Sequence, residues 1–225
     1  MMSTSLSTPY FHNDSVTLYH GDCQVLLPQI NFTGLLLTDP PYGIDLSAKD
    51  ASTRLRYKNV TSDTASFSKI QNDSGTLDLT FLFQYGYPQV IFGANNFPNI
   101  LPFDPKKDGW IVWDKRLTEK ADRMMGSPFE LAVVRGKRLY KFVRLLHGGV
   151  VNADGWGIKR VHPTQKPIAL MSRVMKYFPG LDVLDPFVGS GSTLLAAQAD
   201  GRKAIGIELE ERYCEITADR LLRQP

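Results

Sequence analysis

The tetrapeptide Asp39-Pro40-Pro41-Tyr42 puts a carboxylate and a phenol ring within four residues of stiff chain. The two prolines fix φ and exclude helix, so the segment stays extended. It follows the apolar run Gly34–Thr38, which reads as a buried strand, and open α/β sheets bind ligands beyond the carboxyl ends of their strands. A carboxylate, a rigid backbone carbonyl and an aromatic face suit an amino group on a flat heterocycle. The oxygens accept from its N–H bonds and the ring stacks on its face. Taken alone, the tetrapeptide also suits a strand-ending turn.

A second constellation, Asp185-Pro186-Phe187-Val188-Gly189-Ser190-Gly191-Ser192-Thr193, again lies between a strand and a helix. Its glycines let the backbone bend sharply and approach a ligand. The helix start behind them presents unpaired N–H groups to a negative group such as a carboxylate. The loop lacks the third glycine of the dinucleotide fingerprint and the lysine of a P-loop, so neither nucleotide reading fits. The next strand, Lys203–Ile207, ends in Glu208, and an acid there suits a ribose diol as well as a helix start. A third segment, His162-Pro163-Thr164-Gln165-Lys166-Pro167, opens a helix and reads equally as a capped helix start.

The elements that must position these groups are legible as an alternation. Seven short apolar runs predict strands: Val16–Tyr19, Gly34–Thr38, Gln89–Gly93, Trp110–Trp113, Glu130–Val134, Leu181–Leu184 and Ala204–Ile207. Between them lie helical patterns. Gln165–Phe178 has Ile168, Met171, Met175 and Phe178 on one face and ends at Pro179-Gly180. Ser192–Ala199 stops before Gly201, and Glu210–Arg223 carries acids in its first turn and arginines in its last. The expected fold is α/β: an open, mostly parallel sheet of about seven strands with helices on both faces, in a single domain over residues 1–225. Two stretches break the rhythm: 46–75, expected as a long functional loop, and 137–161, expected as a second irregular excursion.

Basic charge clusters in and beside those stretches. Residues 46–70 carry Lys49, Arg54, Arg56, Lys58 and Lys69 against Asp50 and Asp63; residues 135–144 carry Arg135, Lys137, Arg138, Lys141 and Arg144 and no acid. With a net charge of +3, the rest of the chain is acidic by difference. Basic islands on an acidic body suit contact with nucleic-acid phosphates, although each run alone also reads as a solvated loop. Cys23 and Cys214 fit no metal-ligand spacing, so no metal is expected, and their sparse use suits a reducing compartment. The polar N-terminus does not read as a secretory signal, and no stretch is long and apolar enough to span a membrane.

These features together resemble the amino-methyltransferases of DNA, in the permuted order called the β class. There the catalytic tetrapeptide precedes the cofactor loop, as Asp39–Tyr42, His162–Pro167, Asp185–Thr193 and Glu208 do here. The opening Leu18-Tyr19-His20-Gly21-Asp22-Cys23 resembles the family's displaced strand, and the resemblance runs from Val16 to Leu222. Phe92–Asn95 and Gly109–Arg116 resemble compact bacterial and phage members with less specificity. The resemblance implies a Rossmann-like methyltransferase fold, S-adenosyl-L-methionine as cofactor and double-stranded DNA as partner. It also implies the cytoplasm of a bacterium or phage-infected host, restriction-modification as setting, and a possible homodimer. It casts Asp39, Pro40, Pro41 and Tyr42 as catalytic. Asp22 meets the cofactor adenine, Glu208 the ribose, and Thr164 and Lys166 the methionine carboxylate. Asp185, Phe187, Gly189, Ser190, Gly191, Ser192 and Thr193 line the same cofactor site.

An aspartate at the first tetrapeptide position usually accompanies N6 of adenine in this family, and serine N4 of cytosine. Lys49, Arg54, Arg56, Tyr57 and Lys58 in the first stretch, and Lys137, Arg138 and Lys141 in the second, are the expected DNA contacts. Both stretches are short, so a brief or relaxed recognition sequence is expected. N4-cytosine and RNA substrates are alternatives, as is a non-catalytic DNA-binding partner subunit. A glutamine-modifying enzyme is disfavoured by Asp39 and by the motif order.

Overall fold

The computed structural model describes residues 8–42, 77–86, 88–97, 103–116, 127–146 and 165–224. The stretch 46–75, with Lys49, Arg54, Arg56, Tyr57 and Lys58, lies outside them, as do Thr164 and residues 147–161.

All seven predicted runs are strands of one sheet: β2 (Val16–His20), β3 (Leu35–Thr38), β4 (Gln89–Phe92), β5 (Gly109–Asp114), β6 (Phe129–Arg135), β8 (Val183–Asp185) and β9 (Ala204–Glu208). Two more join them, the two-residue β1 (Phe11–His12) and β7 (Tyr140–Arg144). β7 corrects the expectation of irregular chain from 137 onward. Its burial alternates poorly, with only Val143 buried, because it is an edge strand with one neighbour. A half-exposed edge strand rich in basic residues carries little of the period-two signal that marks a strand in sequence.

The order is β1-β2-β9-β8-β3-β4-β6-β5-β7. β2, β9, β8, β3 and β4 run parallel to one another, β6 runs against β4 and β5, and β5 pairs parallel with β7. All four residues of β3 and of β4 are buried, as continuous apolar runs in a sheet covered on both faces should be.

One face packs against α2 (Ile168–Met175), α3 (Ser192–Ala199) and α4 (Glu211–Arg223) through Leu170, Met171, Val174, Leu194, Leu195, Cys214 and Leu221. The other is covered, among the described residues, by short turns around α1 (Cys23–Leu26), Leu79, Leu82 and Phe97. α2 starts and stops inside the expected 165–178: Pro167 sits before its first turn, and Arg202 donates to the carbonyl of Met175, its last residue, and to those of Phe178 and Leu181 beyond it.

Candidate active site

Asp39 and the glycine loop meet on one edge of the sheet. β3 and β8 are neighbours, so Asp39 and Asp185 emerge side by side where both strands end. Two ties span the gap. Thr38 Oγ1, fully buried, donates to Asp185 Oδ1 at 2.6 Å, and Ser192 Oγ donates to the Lys166 carbonyl at 2.7 Å. Residues 147 apart in sequence are thereby locked within one strand spacing.

At the tetrapeptide, Tyr42 folds back so that its hydroxyl donates to Asp39 Oδ1 at 2.5 Å. Its ring packs edge-on against Phe97. The neighbour that admits this ring is Gly93, in the left-handed region at φ +72°, where a Cβ would lie 2.0 Å from Tyr42 Cε1. In sequence, Phe92–Asn95 shows only a weak resemblance; the glycine's role depends on a contact made across the fold.

Lys166 is placed differently from expectation. Its Nζ sits 2.5 Å from Asp39 Oδ2, 3.0 Å from the Tyr42 hydroxyl and 3.1 Å from Glu130 Oε2. The side chain is 5% exposed, so this ammonium is held between the Asp39–Tyr42 corner and Glu130. Only its backbone carbonyl reaches the glycine loop.

Glu130 and Lys115 complete the cluster, and sequence reasoning assigns neither a role. In sequence Glu130 is only the first residue of an apolar run. Its other oxygen, Oε1, accepts from Lys115, which also lies 4.8 Å over the Trp113 ring. The signal available was an acid opening a buried strand, a costly placement without a cation nearby.

The electrostatics follow from this packing. Burial works to raise Glu130, but Lys166 and Lys115 outweigh it and pull its carboxyl down to about 2. Burial tends to strip the Lys166 proton, yet Asp39 and Glu130 hold it on more firmly than usual. Asp39 is net raised: burial and the Glu130 charge oppose its ionisation more than Lys166 and Tyr42 favour it. Burial beside two carboxylates keeps the Tyr42 phenol protonated.

The glycine loop is shaped by left-handed residues, Gly189 at φ 53° and Gly191 at φ 84°. α4 braces it from behind: Thr217 Oγ1 donates to the Gly189 carbonyl and Arg220 to that of Ser190. A Cβ on Gly191 would meet Thr217 at 2.6 Å. Ser190, Ser192 and Thr193 are buried, the latter two opening α3, and Phe187 is half-buried.

Glu208 ends β9 beside β8, accepting from Gly189 N at 2.7 Å and Glu210 N at 2.8 Å. Burial pushes its carboxyl up to about 7, and burial likewise raises Asp185 to about 6. Asp22 lies at the same edge, since His20 pairs with Glu208; it is exposed and caps α1 through Gln24 N.

Lys137 and Arg138 fall elsewhere. They occupy the turn between β6 and β7, beside Arg135, which pairs with the first residue of β4 at the opposite edge. Lys137 donates to the Tyr177 carbonyl and lies over Phe178, and the Lys141 ammonium lies over Tyr177, past the far end of α2. The structure does not bring these three to Asp39.

Both cysteines are buried and free, and burial pushes each thiol up to about 12. Among the described residues no group of His, Cys, Asp and Glu is arranged to hold a metal, and no helix is long and apolar enough to cross a membrane.

Comparison with known proteins gives a consistent picture. A family model described as DNA methylase (N6_N4_Mtase) matches residues 104–219. The type II methyltransferase M.ScaI of Streptomyces caespitosus is 28% identical over 96% of this chain and 84% of its own. The putative methylase YubD of Escherichia coli K12 is 46% identical over half of each chain. Among solved structures, M1.HpyAVI in complex with SAM superposes with a TM-score of 0.53 at 23% identity, covering 92% of this chain and all of that one. The putative DNA modification methylase TTHA0409 of Thermus thermophilus gives 0.54 at 21%, covering 92% and 94%. The cytosine-N4-specific PvuII DNA methyltransferase gives 0.52 at 17%, covering 96% of each. These structural likenesses establish a shared Rossmann-like methyltransferase fold. With the family model spanning over half its length, the chain belongs to the N6/N4 DNA methylase family.

Proposed function

We propose that this DNA methyltransferase acts on the exocyclic N6 of adenine in duplex DNA, transferring a methyl group by direct displacement. S-adenosyl-L-methionine is the cofactor of the family. The observation that carries the reading is the shared edge: the Asp39 corner and the Gly189 bend lie on adjoining strands, tied by Thr38–Asp185 and Lys166–Ser192. The residues present suit the cofactor. Glu208 is a buried acid with oxygens directed at the loop, fit to accept from a ribose diol. Gly189, Ser190 and Gly191 permit close approach, and Phe187, Asp185, Ser192 and Thr193 shape the wall. Asp22 stands at the neighbouring strand end for the adenine. Thr164, outside the described residues, remains proposed for the methionine carboxylate. That carboxylate reaches Lys166 only if the ammonium leaves Asp39.

The cofactor supplies an electrophilic methyl group; the chain's own residues prepare the amine. The target base leaves the stack, since its amino group cannot be reached within it. Tyr42 stacks on the base, while Asp39 and the Pro40 carbonyl accept from the N–H bonds. Those bonds discourage delocalisation of the nitrogen lone pair into the ring and aim it for in-line attack. Asp39 also stabilises the charge that develops on nitrogen. Lys49, Arg54, Arg56, Tyr57 and Lys58 stay proposed as DNA contacts; Lys137, Arg138 and Lys141 do not, given their edge.

Asp39 favours adenine over cytosine by family resemblance. The test is transfer of labelled methyl to duplex DNA, followed by hydrolysis and separation of the nucleosides. N6-methyladenine is expected; N4-methylcytosine overturns the base assignment, and label on RNA alone overturns the substrate. Asp39→Ala should lower the rate by about 10²–10³-fold.

A further inference from the structure

The Asp39 carboxylate is already engaged. Tyr42 donates to one oxygen and Lys166 to the other, each at 2.5 Å. An amino group entering the site must compete with both. A cation against Asp39 also opposes the positive charge that methyl transfer builds on the amine nitrogen. Both donors therefore need somewhere else to go, and a buried ammonium cannot be left unpaired.

Glu130 Oε2 is within reach of both. It lies 3.1 Å from Lys166 Nζ and 3.4 Å from the Tyr42 hydroxyl. The phenol has one proton and faces two carboxylates, so it donates to either Asp39 or Glu130. The opposite oxygen of Glu130 is pinned by Lys115, which rests over Trp113, whose Nε1 donates to the Leu145 carbonyl. Glu130 is thus a fixed acceptor on β6, anchored through the oxygen that Lys166 and Tyr42 do not share. Asp39, Glu130, Lys115 and Lys166 together sum to zero charge, so a shift of Lys166 between the two carboxylates leaves the cluster neutral.

We propose that Glu130 is a positioning residue for methyl transfer, receiving the Lys166 ammonium and the Tyr42 hydrogen bond when the target amino group takes over the Asp39 carboxylate. No bond is made or broken in this exchange beyond hydrogen bonds. The proposal rests on the assignment of Asp39 as the group that holds the target amine. Among the described residues, the charged and titratable groups facing Asp39 are Lys166 ahead of α2, Tyr42 on its own segment, Glu130 on β6 and Asp185 on β8, with Lys115 behind Glu130.

The experiment is single-turnover transfer from S-adenosylmethionine to duplex DNA by the full chain, across pH about 5.5–9, for wild type, Glu130→Gln and Glu130→Asp. In E130Q the amide is a poor seat for an ammonium, so the plateau rate should fall about 10- to 100-fold. Cofactor affinity should stay within about threefold, because Glu130 does not face the glycine loop. The acid limb of the profile should move to lower pH, since the Glu130 charge that opposes Asp39 ionisation is gone. A packing role moves neither the limb nor the split between rate and affinity. E130D keeps the charge but withdraws it, so its plateau falls while its limb stays.

A folded E130Q within about twofold of wild type, or one slowed with an unmoved limb, overturns the proposal. Should E130Q fail to fold, E130D decides: a wild-type plateau in that variant is equally fatal. If wild type transfers no methyl to any DNA, the proposed function itself falls, an outcome distinct from an active wild type matched by E130Q.

Discussion

Tyr42 keeps its seat only because residue 93 has no side chain. The ring occupies the space where a Cβ at position 93 would be, and the backbone there is left-handed. Gly93→Ala should therefore cost on the order of 1–2 kcal/mol in stability from backbone strain and displace the ring as well. Methyl transfer should fall by about tenfold or more while the protein still melts cooperatively. A G93A variant with wild-type activity would show that the ring's seat does not matter. Glu208 gives a pH signature. Burial lifts its folded pKa to about 7 from the ordinary glutamate value of 4.5, so the folded chain keeps a proton that the unfolded chain has released. Stability therefore declines as pH rises through that window, with Asp185 adding its share between 3.8 and about 6. Thermal melts from about pH 4.5 to 7.5 should show this decline, and Glu208→Gln should flatten its upper part. The proposed ribose contact through the ionised form runs the other way: cofactor affinity measured by calorimetry should rise with pH through about 7 in wild type and not in E208Q.

At the scale of elements, the site is a junction between strand ends, and its precision rests on ties that cross them. The Thr38–Asp185 bond joins β3 to β8, with both side chains almost fully buried. Thr38→Val keeps shape and removes the donor, leaving Asp185 short of a partner. Denaturant unfolding should report a loss of about 1–3 kcal/mol, and the cofactor should bind more weakly because the loop after β8 loses its register. Unchanged stability would mean that the strand pairing alone sets the junction. The helices were predictable where apolar spacing met a clear stop, as in α2 before Pro179-Gly180 and α3 before Gly201. β7 was not, because its exposed Tyr140, Lys141, Phe142 and Arg144 show neither period cleanly.

For the whole molecule, the fold sends Lys137, Arg138 and Lys141 of the second basic island away from the site, while Arg144 ends β7 paired with Asp114 at the other edge. Lys137 and Arg138 turn away at the edge opposite Asp39, with Lys137 and Lys141 engaged around Tyr177 and Phe178. Replacing Lys137, Arg138 and Lys141 together by alanine should leave DNA affinity within about twofold and its salt dependence unchanged. The same change at Arg54, Arg56 and Lys58 should weaken binding and reduce the salt slope by roughly one for each phosphate no longer neutralised. If the first set weakens binding as much as the second, DNA also uses the opposite edge. Sequence alone determined seven of the nine strands, the longer helices and the two chemical corners, because period, proline and glycine act locally. It also established their order along the chain. Only the tertiary structure decided that Lys166 turns to Asp39, that Glu130 and Lys115 belong to the same cluster, and that Gly93 makes room for Tyr42. Those facts depend on contacts between strands far apart in sequence, and a single chain carries no local pattern for the partner a buried charge will find.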